Sequence, residues 1–186
     1  MKTRAALITL SVVAAAAAAA LAMEVSGVTM PDTVTVAGKT LKLNGMGLRK
    51  KLMFKVYVAG LYIETPTHAP EAIISSDQVK RIDLHILRNL KASQVTDAIQ
   101  EGFEKNSKAQ MGALSERLKK FSGFFSDVAE GDQISMAYVP GKGTSVSIKG
   151  AEKGSVEGKD FSDALFSVWL GANPVQDDLK KGLVGG

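Results

Sequence analysis

Arg49 and Tyr57 are the two residues of this sequence best suited to bind a charged group of a ligand. Arg49 lies among glycine and aliphatic residues, directly before a long apolar run that contains Tyr57. Because a guanidinium keeps its charge in a protein, an inward-facing Arg49 requires an anion or several carbonyl groups as partners. Together with a tyrosine hydroxyl, it suits the carboxylate or oxyanion of an apolar ligand. Two structural alternatives stay open: Arg49 bonded to strand-end carbonyls or Glu64, and Tyr57 as an ordinary strand residue.

The other residues that are capable of chemistry form weaker patterns. His68 and His85 lie far apart with no carboxylate at ligand spacing, so we expect no metal site. The sequence has no cysteine, which excludes thiol catalysis, thiolate metal ligands and haem attachment through cysteine. Residues 140–144 lack the first glycine of a phosphate-binding loop and are predicted to be a hairpin turn. The aromatic residues predicted to pack mainly in the core are Tyr62, Phe121, Phe124, Phe125 and Trp169.

The N-terminal segment has the form of a secretory signal peptide, which we assign to residues 1–22. Lys2 and Arg4 precede an alanine-rich apolar run over residues 7–20, and a small-x-small cleavage site ends at Ala22. The alternative, a membrane anchor, needs about 20 strongly apolar residues, and this run is shorter and weaker. We therefore expect an exported protein without a stable transmembrane segment after cleavage, located in the periplasm if the cell is a diderm bacterium.

Length and charge limit the remaining function classes. The full sequence of 186 residues carries 23 Lys and Arg against 19 Asp and Glu, so the chain without Lys2 and Arg4 keeps 21 against 19. This nearly balanced surface has no dense basic run, which argues against nucleic acid as a partner. Residues 23–186 are long enough for one domain with a substantial core. We expect this domain to be monomeric.

The hydrophobic pattern predicts strands and helices in blocks rather than in regular alternation. Gly45 and Gly47 are predicted to turn the chain before a strand over residues 52–63, which is apolar on both faces and therefore central. Asp160 is predicted to cap one late helix, and Asn173-Pro174 to begin the last one. The further predicted strands are 80–88, 131–139 and 144–149, and the further predicted helices are 70–75, 91–106 and 107–121. Such an order is typical of an α+β fold.

The segment from Leu43 to Glu64 resembles the signature of the chalcone isomerase family, and most closely that of its exported bacterial members. It combines Gly-x-Gly-x-Arg, here residues 45–49, with a strand that ends in Ala-Gly-Leu-Tyr-Ile-Glu, here residues 59–64. Residues 159–180 resemble the closing helices of the family. The resemblance implies an open-faced β-sandwich, in which a helical layer covers a large antiparallel sheet and an apolar cleft lies between them.

The same resemblance bears on activity. In the plant enzymes an arginine holds the reacting oxyanion while a chalcone is cyclised, and Arg49 occupies that position. Tyr57 replaces the strand threonine of the enzymes, and Val95, Gly102 and Val168 stand where the enzymes carry polar groups on helices. Because these three residues cannot hold a water or steer a ketone, the resemblance argues against chalcone cyclisation. Arg49 with Tyr57 instead resembles the fatty-acid-binding, non-catalytic branch, in which the pair grips a carboxylate.

Three hypotheses follow. In the first, the protein is an exported, non-catalytic binder of a small apolar acid such as a fatty acid, with Arg49 and Tyr57 as ligand-binding residues and with no cofactor. In the second, it is an intramolecular lyase or isomerase for an enone-like substrate, in which Arg49 stabilises an oxyanion and Tyr57 acts as an acid or positions a water. In the third, it is a structural envelope protein whose cleft is filled by its own side chains.

Overall fold

The computed structural model describes residues 23–186, and the predicted signal peptide lies outside this part of the chain. Its strands are β1 (Glu24–Val25), β2 (Val28–Thr29), β3 (Thr33–Val36), β4 (Lys39–Lys51), β5 (Phe54–Ile63), β6 (Lys80–Ile86), β7 (Gln133–Val139), β8 (Gly143–Ile148) and β9 (Ala151–Val156). Its α-helices are α1 (Pro70–Ser75), α2 (Ala92–Asn106), α3 (Met111–Ser122), α4 (Lys159–Leu170) and α5 (Asp177–Leu183). A short 3₁₀ turn, Lys108–Gln110, precedes α3.

The architecture is a seven-stranded sheet in which strands β3 to β9 lie side by side in chain order. Every neighbouring pair is antiparallel, and the helices are inserted after β5, after β6 and after β9. The small β1–β2 hairpin forms a separate two-stranded sheet. The predicted α+β fold with a large antiparallel sheet under a helical layer is therefore confirmed.

The main core lies between the sheet and the helices. Ala59, Leu61 and Ile63 of β5 point into it and meet apolar residues of the helical layer, among them Ile99 and Phe103 of α2. Alternation along a strand places every second side chain on the same face, so the core-facing residues of β5 are two apart. This face is the one from which any cleft under the helices must be built.

The opposite face of β5 is also covered, which confirms the prediction of a central strand. Val58 packs with Val28 and Met30 of the N-terminal segment, and all three residues are buried. Tyr62 is fully buried on the same face, and its hydroxyl donates a hydrogen bond to the carbonyl of Pro31 at 2.9 Å. The packing role predicted for Tyr62 is therefore observed.

Gly45 and Gly47 do not turn the chain, contrary to the prediction. Both lie inside β4, and neither has a positive φ. They are small because α5 lies directly against them: a Cβ on Gly47 would be 2.7 Å from Leu179 Cδ1 and 2.8 Å from the Leu179 carbonyl oxygen. Arg49 consequently lies near the end of β4 and not in a turn before the next strand.

Both predicted late helix starts were wrong by a few residues. α4 begins at Lys159 after Gly158, and Asp160 lies in its first turn, where its carboxylate binds Arg117 in a bidentate pair at 2.6 and 2.8 Å. α5 begins at Asp177 instead of Pro174. The segment before it is not helical, and the Val175 amide donates a backbone hydrogen bond to the Val168 carbonyl at 2.8 Å.

Candidate functional site

A cavity of about 440 Å³ lies between the sheet and the helices at the end of β5 where Tyr57 is located. Strands β5 and β6 form its floor, and α2 and α4 form its wall. Most of the inner lining is apolar, and it includes Val56, Leu84, Ile86, Val95, Ile99 and Val168. A space of this size and lining is typical of a site for a small apolar ligand. The cleft is open beside Arg49, in contrast to the filled cleft of the structural hypothesis.

Arg49 and Tyr57 meet at this cavity because they are cross-strand partners in the β4–β5 hairpin. Directly paired residues of an antiparallel sheet place their side chains on the same face. The pairing shifts by one between Arg49 and Lys50, which leaves Val56 as an extra residue in β5. This bulge brings Val56 and Tyr57, although consecutive, to the same cavity.

The guanidinium of Arg49 is only partly bound by the protein. Its Nη1 donates to Gln176 Oε1 at 3.2 Å and to the carbonyl oxygen of Lys50. In residues 23–186 no carboxylate forms an ion pair with it; Glu64, the predicted alternative partner, instead accepts a hydrogen bond from the Val79 amide at 2.9 Å. Since a guanidinium has five N–H donors, several donors of Arg49 remain free for another acceptor.

Gln176 holds the end of β4 in place from the C-terminal part of the chain. Its Oε1 accepts a hydrogen bond from the Lys50 amide at 2.8 Å, and its Nε2 donates to the carbonyl of Leu48 at 3.2 Å. The residue is the N-cap of α5, whose packing on the glycines of β4 brings it to this position. Gln176 was missed by the sequence analysis, because 127 residues separate it from Arg49.

Tyr57 is held by the indole of Trp169, which donates from Nε1 to the tyrosine oxygen at 3.0 Å. Burial raises the pKa of Tyr57, although the hydrogen bond from Trp169 and the nearby Arg49 charge oppose part of this increase. The phenol therefore stays protonated at physiological pH. Because Trp169 occupies the acceptor side of this hydroxyl, its proton is available for a ligand.

Trp169 is a site residue that the sequence analysis placed mainly in the core. It is 2% exposed and packs in the main core, but its ring also lines the cavity. Its position beside Val168, which the family resemblance had aligned with a site residue, was the available signal. Val95 and Val168 both line the cavity, whereas Gly102 does not and instead lets α2 approach Val168 closely.

The rim of the cavity carries charges of both signs. Lys51 and Arg88 lie on the sheet side, and Asp97 and Glu101 lie on α2. Glu101 pairs with Lys105 at 2.7 Å, and this contact lowers the pKa of its carboxyl group. The inner part of the cavity therefore has Arg49 as its cation, while the opposing carboxylates lie on the exposed edge.

The two histidines lie outside the lining of this cavity. His68 is exposed in its loop, and His85 lies on the sheet face opposite the helices, next to Val58. No group of three or more His, Asp or Glu side chains within residues 23–186 is arranged to hold a metal ion. None of the helices in this part of the chain is long and apolar enough to cross a membrane.

Comparison with known proteins agrees with this architecture. A family model described as chalcone isomerase-like matches residues 22–185. The chain belongs to the chalcone isomerase-like family. The fold also resembles the crystal structure of the Arabidopsis thaliana fatty-acid binding protein AtFAP1, with a TM-score of 0.70 and 21% identity over 85% of this chain and 92% of that one. A search of curated protein sequences gave no match.

Proposed function

We propose that this member of the family is an exported, non-catalytic protein that binds an apolar carboxylic acid, such as a fatty acid. The observation that carries the proposal is the open, largely apolar cavity beside the partly bound guanidinium of Arg49. A half-buried cation with unused donors favours an anionic group, and an apolar space behind it favours a hydrocarbon.

The head group of the acid would bind at the Arg49–Tyr57 pair. A carboxylate accepts two parallel hydrogen bonds from one guanidinium, which fixes its orientation as well as its charge. The Tyr57 hydroxyl would add a third donor, since Trp169 already occupies its acceptor side. Gln176 supports this arrangement by fixing the backbone on both sides of Arg49.

The lining supports binding over catalysis. Moving a proton or positioning a water requires polar side chains at the reacting atoms. Val95 and Val168, two of the helix positions at which the enzymes carry polar groups, line this cavity with apolar side chains. The plant protein AtFAP1, which shares the fold, is a fatty-acid binding protein. At 21% identity the likeness concerns the fold, so for this chain the acid is a proposal that rests on its own cavity.

The decisive experiment compares an acid with its alcohol. Trp169 is the single tryptophan of the chain and contacts Tyr57, so its fluorescence reports occupation of the cavity. We expect palmitate to bind, and Arg49→Met to weaken it by about 30-fold, the value of a charge-assisted hydrogen-bond pair. Hexadecanol, which lacks the carboxylate, should bind equally to both proteins. Equal palmitate affinity in both proteins, with no acid found by mass spectrometry in the purified protein, would refute the proposal.

A catalytic assay provides the control for the non-catalytic part. Naringenin chalcone should cyclise no faster in the presence of the protein than in buffer, because Val95, Gly102 and Val168 lack the polar groups of the enzymes. An acceleration that is lost in Arg49→Met would favour the isomerase hypothesis instead.

Export is a proposal that rests on the sequence of residues 1–22. The expected mature N-terminus is Met23 or Glu24, after cleavage at the small-x-small site. Mass spectrometry of the protein from a periplasmic extract tests this expectation directly. Recovery of the full 186-residue chain from the cytoplasmic fraction would contradict it.

A further inference from the structure

The tip of the β4–β5 hairpin exposes a cluster of large apolar side chains, which we call the apolar tip: Leu52, Met53 and Phe54. Leu52 is 90% exposed, Met53 85% and Phe54 51%. In residues 23–186 the only other large apolar residue with comparable exposure is Met23, at the start of the described chain. A cluster of exposed large apolar residues often marks an interaction site, whereas single exposed apolar residues are common on any protein surface.

The backbone of the tip has a conformation that is unfavourable for a large apolar residue. β4 ends at Lys51 and β5 begins at Phe54, so Leu52 and Met53 form a two-residue loop. Leu52 has φ +56°, a left-handed conformation that favours glycine or asparagine and is unfavourable for a bulky residue. An exposed leucine at this position gains nothing from the protein's own core, which points to a partner outside the chain.

The apolar tip is surrounded by positive charge. Lys50, Lys51 and Lys55 flank it in sequence, all three are exposed, and none forms an ion pair within the described residues. Arg88 from the neighbouring strand end adds a fourth cation and stacks over the Phe54 ring at 4.5 Å. The nearest carboxylates at the cavity rim are Asp97 and Glu101, and Glu101 is already paired with Lys105.

The apolar tip also borders the mouth of the cavity. Leu52 and Phe54 belong to its lining, as do Lys51 and Arg88. Met53 does not line it. Whatever contacts the tip therefore lies next to the opening through which a ligand must pass.

From these observations we infer that the apolar tip docks on the surface of an anionic lipid bilayer. Leu52, Met53 and Phe54 enter the boundary between head groups and acyl chains, while the four surrounding cations contact anionic head groups. A small exposed apolar cluster ringed by cations fits this partner better than a protein groove, because the bilayer supplies both apolar depth and a uniform negative surface. Docking places the cavity mouth at the membrane and does not itself require a bound acid.

Vesicle flotation tests the inference with residues 23–186, because residues 1–22 contain an apolar run of their own. We expect binding to vesicles of phosphatidylcholine mixed with phosphatidylglycerol, weak binding to pure phosphatidylcholine, and loss of binding at high salt. Leu52→Asn with Met53→Ser should reduce binding about tenfold or more, and Asn is well tolerated at positive φ. Lys51→Gln with Lys55→Gln should have a similar effect, since each cation contributes about a factor of five near an anionic surface.

The matched control is Lys119→Gln with Lys120→Gln, which removes two exposed lysines at the end of α3, a helix that packs against β9 near the far edge of the sheet. This variant should bind vesicles as the unchanged protein does. Equal losses in both lysine pairs would overturn the inference, because they would show only nonspecific attraction. A concentration-dependent dimer that disappears in Leu52→Asn/Met53→Ser would also overturn it, in favour of a second copy as the partner.

A site-specific label gives an independent readout. The chain has no cysteine, so Met53→Cys provides a unique position for an environment-sensitive dye such as NBD. Its emission should shift to the blue with anionic vesicles, whereas a dye at Lys142→Cys, in the β7–β8 hairpin at the opposite end of the sheet, should not respond. No shift at position 53 would refute the docking surface. Palmitate affinity measured without vesicles remains a separate result, so failure of either proposal is distinguishable from failure of the other.

Discussion

The two ends of the sheet–helix interface hold their inward-facing cations in opposite ways. At one end Lys80 of β6 has no exposed side-chain surface, and its Nζ donates to the carbonyls of Ile73, Ile74 and Ser76 at 3.1, 2.6 and 3.2 Å. At the other end the guanidinium of Arg49 donates to Gln176, lies next to Tyr57 and has a cavity beside it. Only the first cation has its donors used up by the protein.

This difference explains what each cation does. The three donors of Lys80 satisfy carbonyls at the C-terminal end of α1, which would otherwise lack partners. Asp163 of α4 lies 3.6 Å from the same ammonium, and the Phe166 ring lies 5.1 Å from it, so the group joins α1, α4 and the sheet. Lys80 therefore stabilises the fold, whereas the free donors of Arg49 are available for an outside group.

The largest effect on stability is expected from Lys80→Met. The methionine fills similar space but leaves buried carbonyls without a donor and removes one of the two lysines beside Asp163, which keeps Lys159 at 2.6 Å. The change should lower the free energy of unfolding by about 3 kcal/mol. Urea denaturation of this variant and of Arg49→Met measures the contrast. Arg49→Met should cost under about 1 kcal/mol, because its guanidinium forms few bonds to protein. A loss in Arg49→Met as large as that in Lys80→Met would assign Arg49 to the scaffold.

A smaller loss of stability is expected from Gly47→Ala, which tests how the packing of α5 on β4 positions the residues around Arg49. The new methyl group would lie within 2.8 Å of the Leu179 carbonyl oxygen, so α5 must move away from β4, at a cost of about 2 kcal/mol. Palmitate binding should weaken as well, since Gln176 moves with α5. Gly112→Ala is the control: its Cβ meets open space within α3, so the variant should be slightly more stable. Unchanged stability in Gly47→Ala would contradict the packing role of this glycine.

The free energy of unfolding should also depend on pH, because of Lys80. Burial lowers the pKa of Lys80 to about 8 from 10.5, with Asp163 opposing part of this decrease. Between pH 8 and 10 the unfolded chain holds a proton that the folded protein has released, so the free energy of unfolding should rise with pH, by about 1–2 kcal/mol. Urea denaturation across this range is the measurement, with Lys80→Met as the control that lacks the rise. A slope that persists in Lys80→Met would assign it to another group.

The smallest effect, a change in palmitate affinity, is expected from Tyr57→Phe beside Arg49. The change removes one neutral hydroxyl donor and leaves the Trp169 N–H without its acceptor, so palmitate affinity should fall about fivefold. Titration followed by isothermal calorimetry avoids the altered tryptophan signal. Because Arg49 remains, most of the preference for acid over alcohol should persist. Complete loss of that preference would mean that the tyrosine, and not the arginine, recognises the carboxylate.

Much of the fold was predictable because its signals are local. The apolar alternation of β5 and β6 and the apolar stripe of α2 depend on residues close together in sequence, and these elements appear where they were predicted. The glycines of β4 were misinterpreted because their cause is distant: they make room for α5, more than a hundred residues later. Residue type alone does not distinguish a glycine that turns the chain from one that admits a helix.

The site was only partly predictable for the same reason. Arg49 and Tyr57 stood out as polar residues in an apolar segment, and the structure pairs them across β4 and β5. Trp169 and Gln176 reach the pair from α4 and from the turn before α5, so their part in the site depends on tertiary packing. The start of α5 was misplaced because the Asn173-Pro174 signal is overridden by the bond between Val175 and Val168.

The bulge at Val56 allows the lining of the cavity to change without a change in the pairing of Arg49 with Tyr57. Because Val56 is unpaired, deleting it would restore a regular ladder in which Arg49 still faces Tyr57 and Lys50 still faces Lys55. One lining residue of the cavity would be lost, while the cross-strand pairing of Arg49 with Tyr57 stayed in register. Under the proposed function, this deletion should therefore change which acid tails bind and leave the preference for an acid over its alcohol unchanged.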